Sequence, residues 1–215
     1  MYHTEKSAET PEEIRARHEA NRLAWNEGAA VYQAENAARL ERLRAGRSSL
    51  HPIEQANLAK IGPLKEWCHR AIHLQCASGE DTLSLLIEGA PEVVGVDISD
   101  VHIGNAQWAT EQLGWNASWY RCDILDTPAE LNHTADLLYT GQGALCWLHD
   151  LTGWAQVVSR LLKPGGIFHI LDDHPASWLF DQETDTITAA GTNYFGHAES
   201  GGGWTEEYIG NQGKI

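Results

Sequence analysis

At 215 residues the chain is long enough for one substantial domain with a short appendage and too short for two full ones. A formal net charge of −15 repels phosphate backbones, so nucleic acid is not an expected partner, and no membrane contact is expected because no apolar run reaches the ~18 residues of a span. The start "MYHTEKSAETPEEIRARHE" is polar and lacks the apolar stretch of a secretory signal, which makes a cytoplasmic location the expected one.

Residues 11–45 are rich in Ala, Glu and Arg, and Pro11 opens them as proline does at a first helical turn. Two helices are predicted here, broken near Gly28, with the Arg and Glu residues forming a solvated face. Gly46 is the expected stop, and Pro52 starts a further helix predicted from about Ile53 to Glu66. From there strand and helix alternate. "AIHLQCA" reads as a strand and "EDTLSLLIEGA" as a helix stopped by Gly89; "EVVGVDIS" is a strand buried on both faces, and "DVHIGNAQWATEQLG" a helix ended by Gly114. "ASWYRCDI" and "ADLLYTGQG" are two more strands, "LTGWAQVVSRLLKPGG" a helix, and "IFHILDDH" a fifth strand. The alternation predicts an α/β fold: a doubly wound, mostly parallel sheet with helices on both faces. Beyond Pro175 the pattern fades into glycine-rich segments with short strands around Thr186 and Trp204.

Cys68, Cys76, Cys122 and Cys146 stand far apart without a C-x-x-C pair or zinc-type spacing to His. They read as buried thiols in a reducing compartment, and no metal site is expected.

Open α/β sheets bind ligands beyond the carboxyl ends of their strands. The first strand ends in the loop Gln75–Asp81, where backbone N–H groups and a helix start make a donor-rich edge. Only Gly79 survives of the three glycines that a pyrophosphate loop carries, which suits a ligand with a carboxylate and a thioether better than a dinucleotide. Asp97, 18 residues after Gly79, has two oxygens for the two hydroxyls of a ribose; the alternative is a helix cap, which Ser99 or Asp100 fills better. Asp123, followed by apolar Ile124, stands where a carboxylate takes an adenine amino group, or merely starts a turn.

Taken together, "AIHLQCASG", "VVGVDIS", "YRCDI", "ADLLYTGQGAL" and "LLKPGGIFHI" resemble the successive motifs of the class I S-adenosylmethionine-dependent methyltransferases. "LQC-x-x-G-x-DTLSL", with "GALCWLHDL" and "HP" after the fifth strand, looks like a bacterial subgroup of small-molecule methyltransferases; the resemblance covers roughly residues 20–180. It implies S-adenosylmethionine as cofactor, held by Gln75, Cys76, Ala77, Gly79, Asp97, Ile98, Asp123, Ile124 and Gly141. His73, Gln75 and Ala77 stand where the family has an acidic residue and glycines. The implied organisation is a helical lid over residues 1–50, a cofactor-binding core over 51–180 and a loop-rich segment over 181–215. The resemblance also implies a last helix and antiparallel hairpin that the sequence does not reach, so the sheet edge is expected to be incomplete, with a second copy of the chain as one way of covering it.

The implied reaction is in-line methyl transfer to a small-molecule acceptor, where positioning supplies much of the rate. A base is needed only for a protonated nucleophile; Asp172, Asp173, His174 and His149 are candidates, each more readily read as a strand-end cap or a core hydrogen bond. Asn21, Trp25 and Tyr32 of the lid and Gln142 beyond the fourth strand are the candidate acceptor contacts. A non-catalytic S-adenosylmethionine-binding module and an NAD-dependent oxidoreductase stay open as alternatives, the latter disfavoured by the missing glycines.

Overall fold

The computed structural model describes residues 3–141, 143–174, 176 and 198–200. The short strands expected near Thr186 and Trp204, and Gln142, lie outside these. A short strand β1 (His3–Glu5) pairs antiparallel with β7 (Ala198–Ser200) apart from the main sheet. The main sheet holds β2 (Arg70–Leu74), β3 (Glu92–Asp97), β4 (Ala117–Arg121), β5 (Ala135–Thr140) and β6 (Leu162–Ile170), all parallel, in the order β4-β3-β2-β5-β6. The order reverses between β2 and β5, so their outgoing loops diverge and leave a crevice at the carboxyl ends of the strands. Among the described residues β6 is an edge of this sheet.

The central strands β2, β3 and β5 are buried on both faces, and successive residues serve opposite cores. Ile72, Leu74, Val94, Val96 and Leu138 pack with Trp154, Val157, Val158 and Leu161 of helix α7 (Leu151–Leu161). Ala71, Val93, Leu137 and Tyr139 face the other way, onto α3 (Pro52–Ile61), α4 (Leu64–Trp67) and α5 (Glu80–Ile87) through Leu58, Leu64 and Leu85. Each such aliphatic side chain, fully removed from water, contributes about 1.5–3 kcal/mol. Helix α6 (Asp100–Leu113) lies between β3 and β4 in the chain.

Helix α1 (Pro11–Ala34) begins with a capping box: the Glu13 N–H donates to Thr10 Oγ1, and the Thr10 N–H donates to Glu13 Oε2. The break expected near Gly28 is absent. Gly28 and Ala29 are buried where α1 packs on α6, and this tertiary contact outweighs the ~1 kcal/mol by which glycine disfavours a helix interior. The chain turns instead at Glu35 before α2 (Asn36–Arg44). Conversely, the single helix expected from Ile53 to Glu66 is two, because Gly62 at φ +128° and Pro63 end α3 at Ile61. All four cysteines are free; Cys68 and Cys76 are buried, but Cys146, expected inside, is exposed in the turn Leu145–Trp147 beyond β5.

Candidate functional site

The loop after β2 takes the shape of a glycine loop without its glycines. Gln75 (φ 59°) and Ala77 (φ 45°) occupy the left-handed region, at a cost of roughly 1–2 kcal/mol each. Two clamps hold them: Ala77 N–H donates to Asp97 Oδ2 at 2.8 Å, and Gln75 Nε2 donates to the Ala144 carbonyl at 2.8 Å. Gly79, also left-handed at φ 77°, must be glycine for a second reason: a Cβ there would stand 2.4 Å from the Trp119 ring, which lies over Gly95 as well.

Asp97 closes β3. Its Oδ1 accepts from the Ser99 N–H at 2.8 Å, while Ser99, not Asp97, caps α6 by accepting from the His102 N–H. Burial pushes the Asp97 carboxyl up to about 6 against the lowering influence of the Ser99, Ala77 and Ile98 N–H groups. Asp123, beyond β4, is heavily engaged. His18 Nδ1 meets its Oδ2 at 2.8 Å, Arg15 stands 3.1 Å away, and the Leu125 N–H donates to Oδ1. Burial resists its ionisation, but the bonds from His18 and Leu125 hold the carboxyl below its ordinary range. The His149 N–H donates to His18 Nε2, which assigns the ring proton to Nδ1 and lets it donate to Asp123.

These contacts fasten α1 across the crevice as a roof. Arg15 also binds Asp126, Arg22 and Asn26 bind Asp100, and Asn21 Nδ2 donates to the Trp147 carbonyl at 2.9 Å. Trp25 meets Trp147 edge-on, and both Trp25 and Tyr32 lie against the His102 ring. Beneath the roof is a cavity of about 180 Å³, mostly apolar, with Asp97, Asp123, Gln75 and His102 among its polar lining.

Of the residues singled out in the sequence, Gln75, Ala77, Asp97, Ile98, Asp123, Ile124, Asn21, Trp25 and Tyr32 line this cavity. Cys76, Gly79 and Gly141 do not: Cys76 and Gly79 support the loop from beneath, and Gly141 sits beside Tyr139 and His73. Asp172 accepts from the Gly143 and Leu145 N–H groups, fixing the loop after β5. Asp173 and His174 are exposed, and His149 contributes its backbone to His18. None of these four lines the cavity. Sequence reasoning missed His18, His102 and Trp147. The spacing of His18, Asn21, Trp25 and Tyr32 on one helical face was the available signal for the first. Among the described residues no cluster of His, Cys, Asp or Glu could hold a metal ion, and no helix is long and apolar enough to cross a membrane.

The parallel sheet flanked by helices is the Rossmann-like α/β fold of methyltransferase domains. Residues 71–166 match the family model described as a methyltransferase domain. Over 142 residues the chain is 34% identical to an uncharacterised methyltransferase of Synechocystis sp., a match covering 63% of this chain and 59% of that protein. Thus the chain spans less than two thirds of that relative's length. Two solved structures share the fold. One, a Methanococcus maripaludis protein described as an S-adenosyl-L-methionine-dependent methyltransferase, is 17% identical with a TM-score of 0.53, over 68% of this chain and 63% of the other. The other, the YcgJ protein of Bacillus subtilis, is 19% identical with a TM-score of 0.50, over 58% and 52%.

Proposed function

We propose that this protein transfers a methyl group from S-adenosylmethionine to a small-molecule acceptor. The observation that carries the reading is the cavity beyond the carboxyl ends of β2, β3, β4 and β5, where Asp97, Ile98, Asp123 and Ile124 converge under a helical roof. When bound, the cofactor supplies a sulfonium methyl group open to in-line displacement. The residues of this chain do the rest. Asp97 keeps lone pairs for ribose hydroxyls, and Ile98 and Ile124 offer apolar faces to a purine. Asp123, saturated by His18 and Arg15, joins the roof to the purine end more than it binds the purine itself. Trp25, Tyr32 and Trp147 keep water from the reacting centre, which favours transfer over side reactions. Asp172 sets the loop after β5 and is a positioning residue in this reading, not a base.

The acidic surface suits a small acceptor better than a nucleic acid. Calorimetric titration with S-adenosylhomocysteine and with NAD tests the reading: the first should bind and the second should not. NAD binding alone would overturn it, and so would nucleoside binding without turnover across a broad acceptor panel. Asp97→Ala should weaken S-adenosylhomocysteine by at least roughly tenfold, the cost of a lost hydrogen bond to a charged group; unchanged affinity would remove Asp97 from the site.

A further inference from the structure

The imidazole of His18 ties both walls of the crevice to helix α1. The residue is 4% exposed, and its two ring nitrogens have partners on different walls. Nδ1 donates to Asp123 Oδ2 at 2.8 Å, beyond β4. Nε2 accepts from the backbone N–H of His149 at 3.3 Å, in the stretch that leads from β5 to α7. One turn further along α1, Asn21 Nδ2 donates to the Trp147 carbonyl of that same stretch. Asp123 and Ile124 from one wall, and Trp147 and Leu148 from the other, line the cavity.

The two bonds of the ring respond differently to a proton. A neutral imidazole offers one donor and one acceptor, and the His149 N–H uses the acceptor. A protonated ring has two donors. Its Nδ1–H keeps Asp123 and gains charge assistance, whereas its Nε2–H would face the His149 N–H, donor against donor. A backbone N–H cannot turn away without moving the residues that carry it. The surrounding charges set the direction. From the β4 side the ring meets the Asp123 carboxylate, whose Oδ2 also lies 3.1 Å from Arg15 of α1, and Arg15 is bound in turn to Asp126. From the β5 side it meets the His149 ring, with centroids 5.9 Å apart, and Arg17 of α1 adds positive charge near His149. A charged His18 is therefore attracted to the first wall and repelled by the second.

We propose that His18 is a proton-operated latch: protonation of Nε2 releases residues 147–149 from α1 while Nδ1 keeps α1 on Asp123, so the cavity opens on the β5 side. The inference concerns the roof itself and does not depend on which ligand the cavity takes.

Amide hydrogen exchange of the full chain from about pH 8 to about pH 5, the range in which imidazoles titrate, tests it after correction for intrinsic exchange. Opening at the His149 amide, relative to amides of β2, β3 and β5, should rise at least about fivefold towards acid, the factor carried by one hydrogen bond. Its midpoint should coincide with the titration of the His18 ring followed by NMR. His18→Asn keeps a donor for Asp123 but offers His149 no acceptor, so its His149 amide should exchange at the acid rate at every pH. His149→Gln removes the second imidazole, keeps the backbone donor and should retain the wild-type response. Where His18→Asn fails to fold, by circular dichroism, His18→Phe replaces it with the same expectation, and the wild-type titration stands without either. Exchange at His149 that ignores the His18 titration or slows towards acid overturns the inference. So does a pH response that persists in His18→Asn or vanishes in His149→Gln.

Discussion

Single residues show where this loop stores strain and where it cannot change. Ala77 pays for its left-handed backbone without using its methyl group to cap or pair anything, whereas Gly79 is confined by both its backbone and the Trp119 ring. Ala77→Gly should raise stability by about 0.5–1 kcal/mol, relief of strain outweighing the extra freedom of the unfolded chain. Gly79→Ala should lower it by about 2–4 kcal/mol, because left-handed strain adds to an overpacked contact. Urea denaturation of the two variants checks both, and a stabilised Gly79→Ala would show that the Trp119 packing is wrong. The three residues were legible in the sequence as a glycine-poor loop. That Gln75 and Ala77 would adopt the glycine conformation anyway was not, since it depends on clamps from Asp97 and Ala144, distant in sequence.

Among the elements, α1 decides access to the cavity. It is amphipathic only weakly, and it stays in place through discrete polar contacts from Arg15, His18, Asn21, Arg22 and Asn26 to the ends of β3, β4 and the loop after β5. The cavity of about 180 Å³ lies beneath these contacts. Asn21→Ala removes the bond to Trp147 and should lower the local opening energy of α1 by about 1 kcal/mol, with a smaller effect on global unfolding. Hydrogen exchange should then quicken in residues 11–34 while β2, β3 and β5 keep their protection. Uniform acceleration would mean that α1 is part of the main cooperative unit. That the segment is helical was readable from its composition and Pro11; its continuity through Gly28 was not, because burial against α6 sets it.

The whole molecule carries opposing acid responses. Burial pushes His73 down to about 3 and His102 to about 4, while the unfolded chain titrates them near 6.5. Below that pH the unfolded state takes up protons that the folded state refuses, so stability falls. His149 and His169 are also lowered by burial and act in the same direction. Asp81 and Asp97 act oppositely: burial raises them to about 6 from 3.8, so the folded state binds their protons first and gains stability as pH falls from about 6 towards 3.8. Stability should therefore be highest above neutrality and fall by on the order of 1 kcal/mol between about pH 7.5 and 6, before the carboxyls offset the imidazoles. Denaturation midpoints across that range measure it; a rise on acidification would mean that the histidines are not buried as described. Ligand affinity should fall through the same window, because a protonated Asp97 loses the charge that strengthens its bonds to ribose hydroxyls.

By itself the sequence determined the alternation of strands and helices, the two-sided burial of β3 and the order of the motifs along the strands. Local periodicity and turn chemistry carry that information within windows of a few residues. It also placed Asp97 and the loop after β2 at the carboxyl edge of the sheet, because parallel crossovers leave little choice of where strand ends gather. Only the tertiary structure decided which side chains face one another there. His18 reaching Asp123, Asn21 reaching Trp147 and Ser78 reaching His102 are contacts across 105, 126 and 24 residues. No local pattern encodes a partner at that distance; it exists only once the sheet has set the geometry that α1 then crosses.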